Sequence, residues 1–501
     1  MRILFVSSEA YPLIKTGGLG DVAGSLPRAL LDLQLDVRLI IPAYAVALGQ
    51  LGETKILAQF SEGTDTVTLR EGQLADSPLK VWLVDAPGYF DRPGNPYLDS
   101  NSEPWADNAE RFALFSRIVT RLALNQAGLD WVPDIVHCND WQTGLVPALL
   151  ELSAQSSVHG FAQRFAQRPA TVFTIHNLAY QGLFPAHCLQ QLGLPASWWS
   201  HHALEFHGQL SFIKGGLVFA DRINTVSPGY AREIQTAEYG NGLDGLLRHR
   251  STVLSGILNG IDTEEWNPAT DPLLEKQYDA NNLKGKQANK QALQAALGLS
   301  QKPDTPLIGL VSRLVTQKGI DIIIDAIPAL VKLPLQLVLL GSGEQALEAR
   351  LVTLAKQYPN KLAIRIGYDE TLAHRIEAGA DMYLMPSRFE PCGLNQMYSL
   401  RYGTVPIVRN VGGLADTVTD TSAKTLANGT ANGFIVSTDD SLALLKAIKR
   451  ALRRYRNKTQ WRQLQSTGMR HDFSWQNSAQ EYLALYRQAR QANSKSVSNA
   501  E

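Results

Sequence analysis

The sequence predicts an α/β protein built from two doubly wound domains. Three observations predict it. The chain has 501 residues, too many for one hydrophobic core. Short apolar, largely β-branched runs recur with helical stretches between them, the pattern of parallel strands covered by helices on both faces. These runs form two sets of six, separated by a polar stretch rich in lysine and asparagine, Asp279 to Lys302.

In the first half the expected strands are Arg2–Val6, Val37–Ile41, Val81–Val84, Ile135–His137, Thr171–Ile175 and Ile223–Val226. In the second half they are Leu307–Val311, Leu335–Leu340, Leu362–Ile366, Met382–Met385, Val405–Val408 and Phe434–Val436. Helices are expected from near Asp21 through Leu31 and over Ala288–Leu297. The first half closes near SGILNGID, where Asn259-Gly260 is a turn signal. Two domains joined near residue 260, with a cleft between them, follow from this reading. Ligands in such sheets bind outside the carboxyl ends of the strands. The closing segment DFSWQNSAQEYLALYRQAR carries Trp475, Tyr482, Leu485 and Tyr486 at helical spacing. The expected division is therefore 1–258, 259–473, a helix over 474–490 packing back on the first domain, and a disordered tail over 491–501.

Hydrophobic residues make up 45% and charged residues 19%, ordinary for a soluble enzyme. Lys+Arg and Asp+Glu both number 47. That neutral balance argues against a dedicated nucleic-acid binder, which needs a basic surface. Cys138, Cys188 and Cys392 fit no disulfide framework or zinc spacing, which suggests a reducing compartment. The N-terminus MRILFVSSEA enters a strand-like run without a leader pattern. No run of about 18 apolar residues occurs. A cytoplasmic protein with no membrane partner is expected.

Residues 15–24, KTGGLGDVAG, place Lys15 beside glycine backbone. Gly18, Gly20 and Ala23 formally match G-x-G-x-x-A. However, the first strand ends eleven residues before Gly18, and the second ends Leu39-Ile40-Ile41-Pro42 without the acidic residue a dinucleotide fold needs. No G-x-x-x-x-G-K-[ST] occurs either. What remains is glycine amides at a helix start, suited to phosphate, or a plain turn joining strand to helix. In the second half, LIGLVSRLVTQKGID puts Arg313 and Lys318 just after a strand. They could reach a diphosphate or be ordinary surface cations. PSRFEPCGLNQMYSL places Glu390 after another strand, followed by Gly393 and a helix, and Gly412-Gly413 repeats the strand–glycine–helix theme.

KTGGLGDVAGSLP, HCNDWQTGLVP, FTIHNLAYQG, NTVSPGYAREI, LNGIDTEEWNP, SRLVTQKGID, GADMYLMPSRFEPCGLNQMYSLRYGT and GGLADTV together resemble the bacterial glycogen synthase and plant starch synthase family. This is a family of retaining α-glucan synthases that use ADP-glucose. The resemblance runs from about residue 1 to 487. It implies the GT-B fold, two Rossmann-like domains facing across a deep cleft. It also implies glycogen or maltooligosaccharide as acceptor, and no cofactor beyond the donor substrate.

By this resemblance Lys15 would contact the nucleotide phosphates or the transferring sugar, Gly18 would offer an amide, and Asp21 would lie near the nucleoside. Arg313 and Lys318 match the pair that neutralises the leaving diphosphate. Glu390 matches the carboxylate at the glucose hydroxyls, with Cys392, Gly393, Leu394 and Gly413 near phosphate or sugar. His176 matches the histidine near the glucose 6-hydroxyl, and Asp140 the cleft aspartate. Tyr368 matches the aromatic that stacks on adenine, Tyr97 resembles a glucan-acceptor contact, and Asn259 matches an inter-domain cleft residue.

The chain departs from the family pattern at several places. Gln142 closes NDWQ where the family often has histidine. Asn395 and Val411 stand where threonine is common. Tyr398 occupies the second position of the E-x7-E pattern of related transferases, a departure this family shares.

The expected chemistry needs fixed positive charge on a departing diphosphate. No clustered Asp-x-Asp appears in a predicted cleft position, so no catalytic metal is expected. Front-face attack, with a phosphate oxygen taking the acceptor proton, is the preferred route. His201, His202, Glu205 and His207 lie close in SWWSHHALEFHG but make no H-E-x-x-H. Cys392 reads as a small packed residue. Trp198-Trp199 could stack on sugar or pack in a core. The basic run from Lys446 to Lys458 reads as a solvated helix face, with polyanion binding the sharper alternative. A UDP-glucose-dependent transferase, a sugar-nucleotide epimerase and a catalytically silent glucan-binding protein are the rival functions.

Overall fold

Arg2–Val6 (β1) is buried in all but its first residue and lies inside a nine-stranded sheet. In chain order the strands that follow are β2 (Asp36–Pro42), β3 (Lys55–Glu62), β4 (Asp65–Gln73), β5 (Lys80–Asp85), β6 (Ile135–Asn139) and β7 (Ala170–Ile175). Next come β8 (Leu183–Pro185), β9 (Glu205–Phe206) and β10 (Gln209–Ser211), which form a small antiparallel sheet of their own. β11 (Arg222–Thr225) and β12 (Leu254–Gly256) complete the large sheet, whose order is β12-β11-β7-β6-β1-β2-β5-β4-β3. This computed structural model describes residues 1–63, 65–74, 76–101, 103–158 and 168–498.

The seven strands from β12 to β5 pair in parallel. Every residue of β6 and β7 is buried, as strands covered on both faces require. The β3–β4 hairpin adds an antiparallel edge. From β1 the chain builds outward through β2 to β5, then returns to the other side of β1 with β6. The order reverses between β1 and β6, which fixes where a ligand crevice can open.

The second half contains β13 (Leu307–Val311), β14 (Gln336–Gly341), β15 (Leu362–Ile366), β16 (Met382–Met385), β17 (Val405–Arg409) and β18 (Phe434–Val436). All pair in parallel in the order β15-β14-β13-β16-β17-β18, and the reversal falls between β13 and β16. The helix Ser441–Tyr455 buries Leu444, Ala447, Ile448, Ala451 and Leu452. Lys446, Lys449 and Arg453 lie on its exposed side, and Arg450 forks onto Asp420 at 2.7 and 2.8 Å. The basic run is therefore a helix's outer face with a structural ion pair.

Contacts divide the chain into two units. One holds Met1–Val226, Ala231–Gly260 and the segment from Trp475 onward; the other holds Ser227–Tyr230 and Ile261–Ser474. Several elements differ from the sequence reading. The hairpin β3–β4, the small sheet and β12 were not expected. The first helix begins at Gly18, before Asp21, and the helix expected over 288–297 spans Lys284–Ala296. The last helix runs Trp475–Ser498, so the disordered tail expected over 491–501 is helical through Ser498; residues 499–501 lie outside the described residues. With no glycine or proline after Trp475, nothing local stops the helix. Among the described residues no helix is long and apolar enough to cross a membrane.

The last helix completes the first unit's core. Its Tyr482 and Tyr486 are fully buried. The Tyr486 hydroxyl pairs with His137 Nδ1 at 2.8 Å, and His137 Nε2 meets Thr174 Oγ1 at 2.7 Å. Asn224 Nδ2 donates to the Tyr482 hydroxyl at 3.0 Å. Burial pushes the His137 pKa down to about 3, so the ring is neutral and needs one donor and one acceptor. Tyr486→Phe would leave a buried ring nitrogen unpaired. Urea unfolding should show a loss of about 1–3 kcal/mol, the desolvation cost of such a group.

Candidate functional site

In the first unit the site residues follow the carboxyl ends of β1, β6 and β7, on either side of the order reversal. Glu9, three residues past β1, is 2% exposed. Its carboxylate accepts from the Thr16 N–H, from Thr16 Oγ1 at 2.9 Å and from the Tyr97 hydroxyl at 2.8 Å. Ser8 Oγ meets the same Tyr97 oxygen at 2.8 Å. Burial pushes the Glu9 pKa up and these donors pull it back. Glu9 thus ties the turn carrying Lys15 to the loop carrying Tyr97. Sequence reasoning missed it. The available signal was its place just after a strand, the same place that marked Glu390.

Lys15 pairs with Asp21 at 2.7 Å. Asp21, expected near a nucleoside, here holds that lysine at the start of the helix Gly18–Asp32. A Cβ built on Gly17 or Gly18 meets nothing within 4 Å, so the space over this helix start is open to a ligand. Tyr97 packs its ring against Phe112 and Trp141.

Asp140 follows β6 with φ +56° and ψ −179°, a region that only glycine enters readily; strain of this kind costs on the order of 1–3 kcal/mol. Its N–H donates to the Thr174 carbonyl at 2.9 Å, and its Oδ1 accepts from the His176 N–H at 2.7 Å. Burial raises its pKa to about 7, against the pull of the His176 and Asn177 amides, and Glu9 adds to the rise. The His176 imidazole lies against Asn139, with Nε2 2.9 Å from Oδ1. Asn139 Nδ2 donates to the Val6 carbonyl at 3.0 Å, so its oxygen faces the ring and Nε2 carries the proton. Burial lowers the His176 pKa to about 3. The ring is neutral, and its Nδ1 is an acceptor. Asn139 is the second residue the sequence reading missed; it stands in NDWQ, where only Asp140 was singled out as a site residue. Gln142 is buried in the short turn Trp141–Thr143. Asn259 is buried, and its Oδ1 finds no hydrogen-bond partner.

In the second unit the site lies at the β13–β16 reversal. Lys318 Nζ meets Glu390 Oε2 at 2.5 Å, and Ser387 Oγ donates to the same oxygen at 3.1 Å. Lys318 ends the turn after β13 and Glu390 lies in the loop after β16, so neighbouring strands set the pair. Arg313 is exposed and reaches Gln317 Oε1 at 3.4 Å. Arg388, by contrast, forks onto Asp321 at 2.7 and 2.8 Å. Tyr368 follows β15 with its side chain 82% exposed, so one face can receive a flat ring.

Gly412 and Gly413 pack under the Glu390 loop. A Cβ on Gly412 would lie 2.0 Å from the Glu390 carbonyl oxygen, and one on Gly413 2.2 Å from that of Cys392. The Gly413 N–H bonds the Glu390 and Pro391 carbonyls at 3.2 Å. Gly413 therefore supports the loop by close packing. Cys392 is buried. Gly393, at φ +72°, turns the chain into the helix Asn395–Arg401 through Leu394, its N-cap. Asn395 Nδ2 holds the Val311 carbonyl and the Tyr383 hydroxyl, each at 2.7 Å, linking that helix to the end of β13. Val411 is buried. Tyr398 stacks on Trp266 at 3.8 Å and 11°, a contact a glutamate there would lose.

His201, His202, Glu205 and Trp198 have structural explanations, whereas Trp199 is exposed. His201 and His202 lie ring to ring at 3.8 Å, and Glu205 accepts from the Gly208 N–H at 2.7 Å. Trp198 is buried against Phe219 at 5.5 Å.

Residues 2–249 match a family model described as starch synthase catalytic domain, and residues 298–465 one described as glycosyl transferases group 1. The chain is 54% identical to glycogen synthase 1 of Methylococcus capsulatus, over 98% of this chain and 97% of that one. It is 54% identical to the glycogen synthase of Cellvibrio japonicus, over 97% and 98%. Among solved structures it resembles the catalytic domain of starch synthase IV from Arabidopsis thaliana bound to ADP and acarbose. The TM-score is 0.85 and the identity 35%, over 98% of this chain and 99% of that one. Sucrose-phosphate synthase from Thermosynechococcus elongatus shares the fold, with a TM-score of 0.56 and 18% identity over 97% and 98%.

The raised pKa of Asp140 has a measurable sign. Its folded value, about 7, exceeds the unfolded one, so its contribution to stability is complete below about pH 4 and is lost as pH rises through about 7. Asp140→Asn removes the ionisation while keeping the side chain's size and its Oδ1 acceptor, and it carries the same backbone strain as the wild type. In urea titrations from pH 4 to 8, the variant should gain on the wild type by up to about 1.4 kcal/mol per pH unit.

Proposed function

Because the chain belongs to the glycogen and starch synthase family of glycosyltransferases, we propose that it transfers glucose from ADP-glucose to the non-reducing end of an α-1,4-glucan, with retention of anomeric configuration. The observation that carries this reading is the Lys318–Glu390 pair at the order reversal of the second unit's sheet. It supplies a cation for a departing diphosphate and a carboxylate for sugar hydroxyls within one loop cluster. Glycogen or a maltooligosaccharide is the acceptor.

In this reading the bond from the anomeric carbon to the diphosphate oxygen breaks while the acceptor 4-hydroxyl approaches on the same face. The new carbon–oxygen bond forms there, and the hydroxyl proton passes to an oxygen of the leaving diphosphate. Lys15, Arg313 and Lys318 take up the developing negative charge, the role in which fixed charge contributes most. His176, neutral with Nδ1 unprotonated, accepts from the glucose 6-hydroxyl. Asp140 lies beside the transferring sugar, and Glu9 holds Thr16 and Tyr97 so that Lys15 and the acceptor loop keep their places. Tyr368 stacks on adenine. The reading requires Lys15 and the Arg313–Lys318 pair to act on one diphosphate in the loaded enzyme, with closure about the linker near residue 260.

Radiolabelled ADP-glucose and UDP-glucose, offered with glycogen primer, test it. Incorporation from ADP-glucose is expected, with kcat lowered about 10²–10³-fold in Lys318→Ala, as for loss of one transition-state donor, and unchanged by EDTA. Incorporation from UDP-glucose alone would overturn the donor; none from either would leave a glucan-binding protein. If Lys15 and Lys318 serve one diphosphate, the Lys15→Ala/Lys318→Ala double variant should lose less than the product of the single losses.

A further inference from the structure

The β13–β16 ladder ends where Gly309 lies opposite Tyr383, short of Val311 at the end of β13. Beyond that point side chains take over the pairing. Tyr383, on β16, is fully buried. Its hydroxyl accepts from the Val311 N–H at 2.9 Å and from Asn395 Nδ2 at 2.7 Å, which fills both lone pairs. Its proton faces the Val311 carbonyl at 2.9 Å, with the Glu377 carboxyl a second acceptor within reach. Burial pushes the Tyr383 pKa well above its ordinary value, so that proton stays in place. The other Asn395 amide proton goes to the same Val311 carbonyl at 2.7 Å.

We infer that Tyr383, with Asn395 as its partner, is a positioning residue for glucosyl transfer: it holds the loop of Arg313 and Lys318 in register with the loop of Glu390 where the two strands part. This rests on the roles proposed above for Lys318 and Glu390. Val311 stands just before Ser312 and Arg313, and Asn395 follows the Glu390 loop directly after Leu394. One buried oxygen therefore joins the last residue of β13 to the first residue of the helix Asn395–Arg401. Ser399 on that helix adds a second tie, its Oγ 2.9 Å from Glu377 Oε2.

The pairing also accounts for the amide at position 395. A threonine there, the residue common in the family, has a single hydroxyl proton and cannot donate to both the Val311 carbonyl and the Tyr383 hydroxyl. The amide has two protons in one plane and serves both. The Lys318–Glu390 contact of 2.5 Å depends on the relative placement of these two loops, and small misplacements of charge around a reacting bond are costly in rate.

Titration calorimetry with ADP, and initial rates with ADP-glucose and glycogen, compare the full-length wild type with Tyr383→Phe and Tyr455→Phe. Tyr455 is the control: its hydroxyl donates to Asp381 Oδ1 at 3.2 Å, beside the amino end of β16. In Tyr383→Phe, ADP affinity and kcat should each fall about tenfold, the loss expected when one buried hydrogen bond no longer holds the loops. The KM for glycogen should not change. Tyr455→Phe should melt below the wild type yet keep its ADP affinity and kcat. If Tyr383→Phe fails to fold, Asn395→Ala, which frees the same carbonyl and hydroxyl, takes its place with the same expectation. Wild-type ADP affinity in the folded variant would overturn the inference, as would an equal loss in Tyr455→Phe. If the wild type binds ADP but incorporates no glucose, the transfer reading fails, and the ADP affinities still decide the positioning role.

Discussion

A parallel strand covered on both faces has no room for polar side chains along its length, so chemistry collects at its ends. In each unit that constraint acts twice over, because the strand order reverses beside one central strand. Loops leaving β1 and β6 diverge in the first unit, and those leaving β13 and β16 diverge in the second. The candidate site residues Lys15, Asp140, His176, Lys318 and Glu390 stand in those loops and in the one that follows β7. They are placed by strand ends, and their neighbours are set by strand order.

The two units treat charge differently. Around Asp140 and His176 burial dominates: the histidine is held neutral, and the aspartate is pushed toward neutrality in a backbone conformation that a non-glycine residue resists. Around Lys318 and Glu390 opposite charges meet at 2.5 Å, with the lysine side chain partly open to solvent. The first arrangement suits hydrogen bonding to an uncharged sugar. The second suits an anion that can share the lysine's remaining protons. A nucleotide-sugar has one end of each kind.

Legibility followed the same physics. All the strands expected from continuous apolar runs are present; burial on both faces removes polar residues from the inner ones and leaves an unbroken signal, while the edge strand β15 keeps Arg365 and an exposed Ile366. The β3–β4 hairpin was not legible: in Asp65–Gln73 the buried Val67 and Leu69 alternate with polar residues. The strands of the small sheet, at two or three residues, are too short to carry a period. Charged site residues were legible where they follow a strand directly and the family pattern repeats them. Glu9 and Asn139 were not, because their partners, Tyr97 and His176, lie 88 and 37 residues away. Gly413 read as a ligand contact because a glycine pair before a helix suits phosphate; only the packing of Cys392 against it reveals the other use.

The helix Trp475–Ser498 closes the core of a unit whose first strand begins at Arg2. During synthesis, then, the N-terminal half emerges long before the tyrosines that seal His137 and Asn224. The second unit's long segment, Ile261–Ser474, leaves the ribosome before that helix does and is free to compact on its own. At 5–20 residues per second, the interval between Asn259 and Tyr486 lasts roughly 11–45 s. For that time the nascent N-terminal sheet lacks the tyrosines that cover His137 and Asn224, and its apolar face is open to non-native contacts.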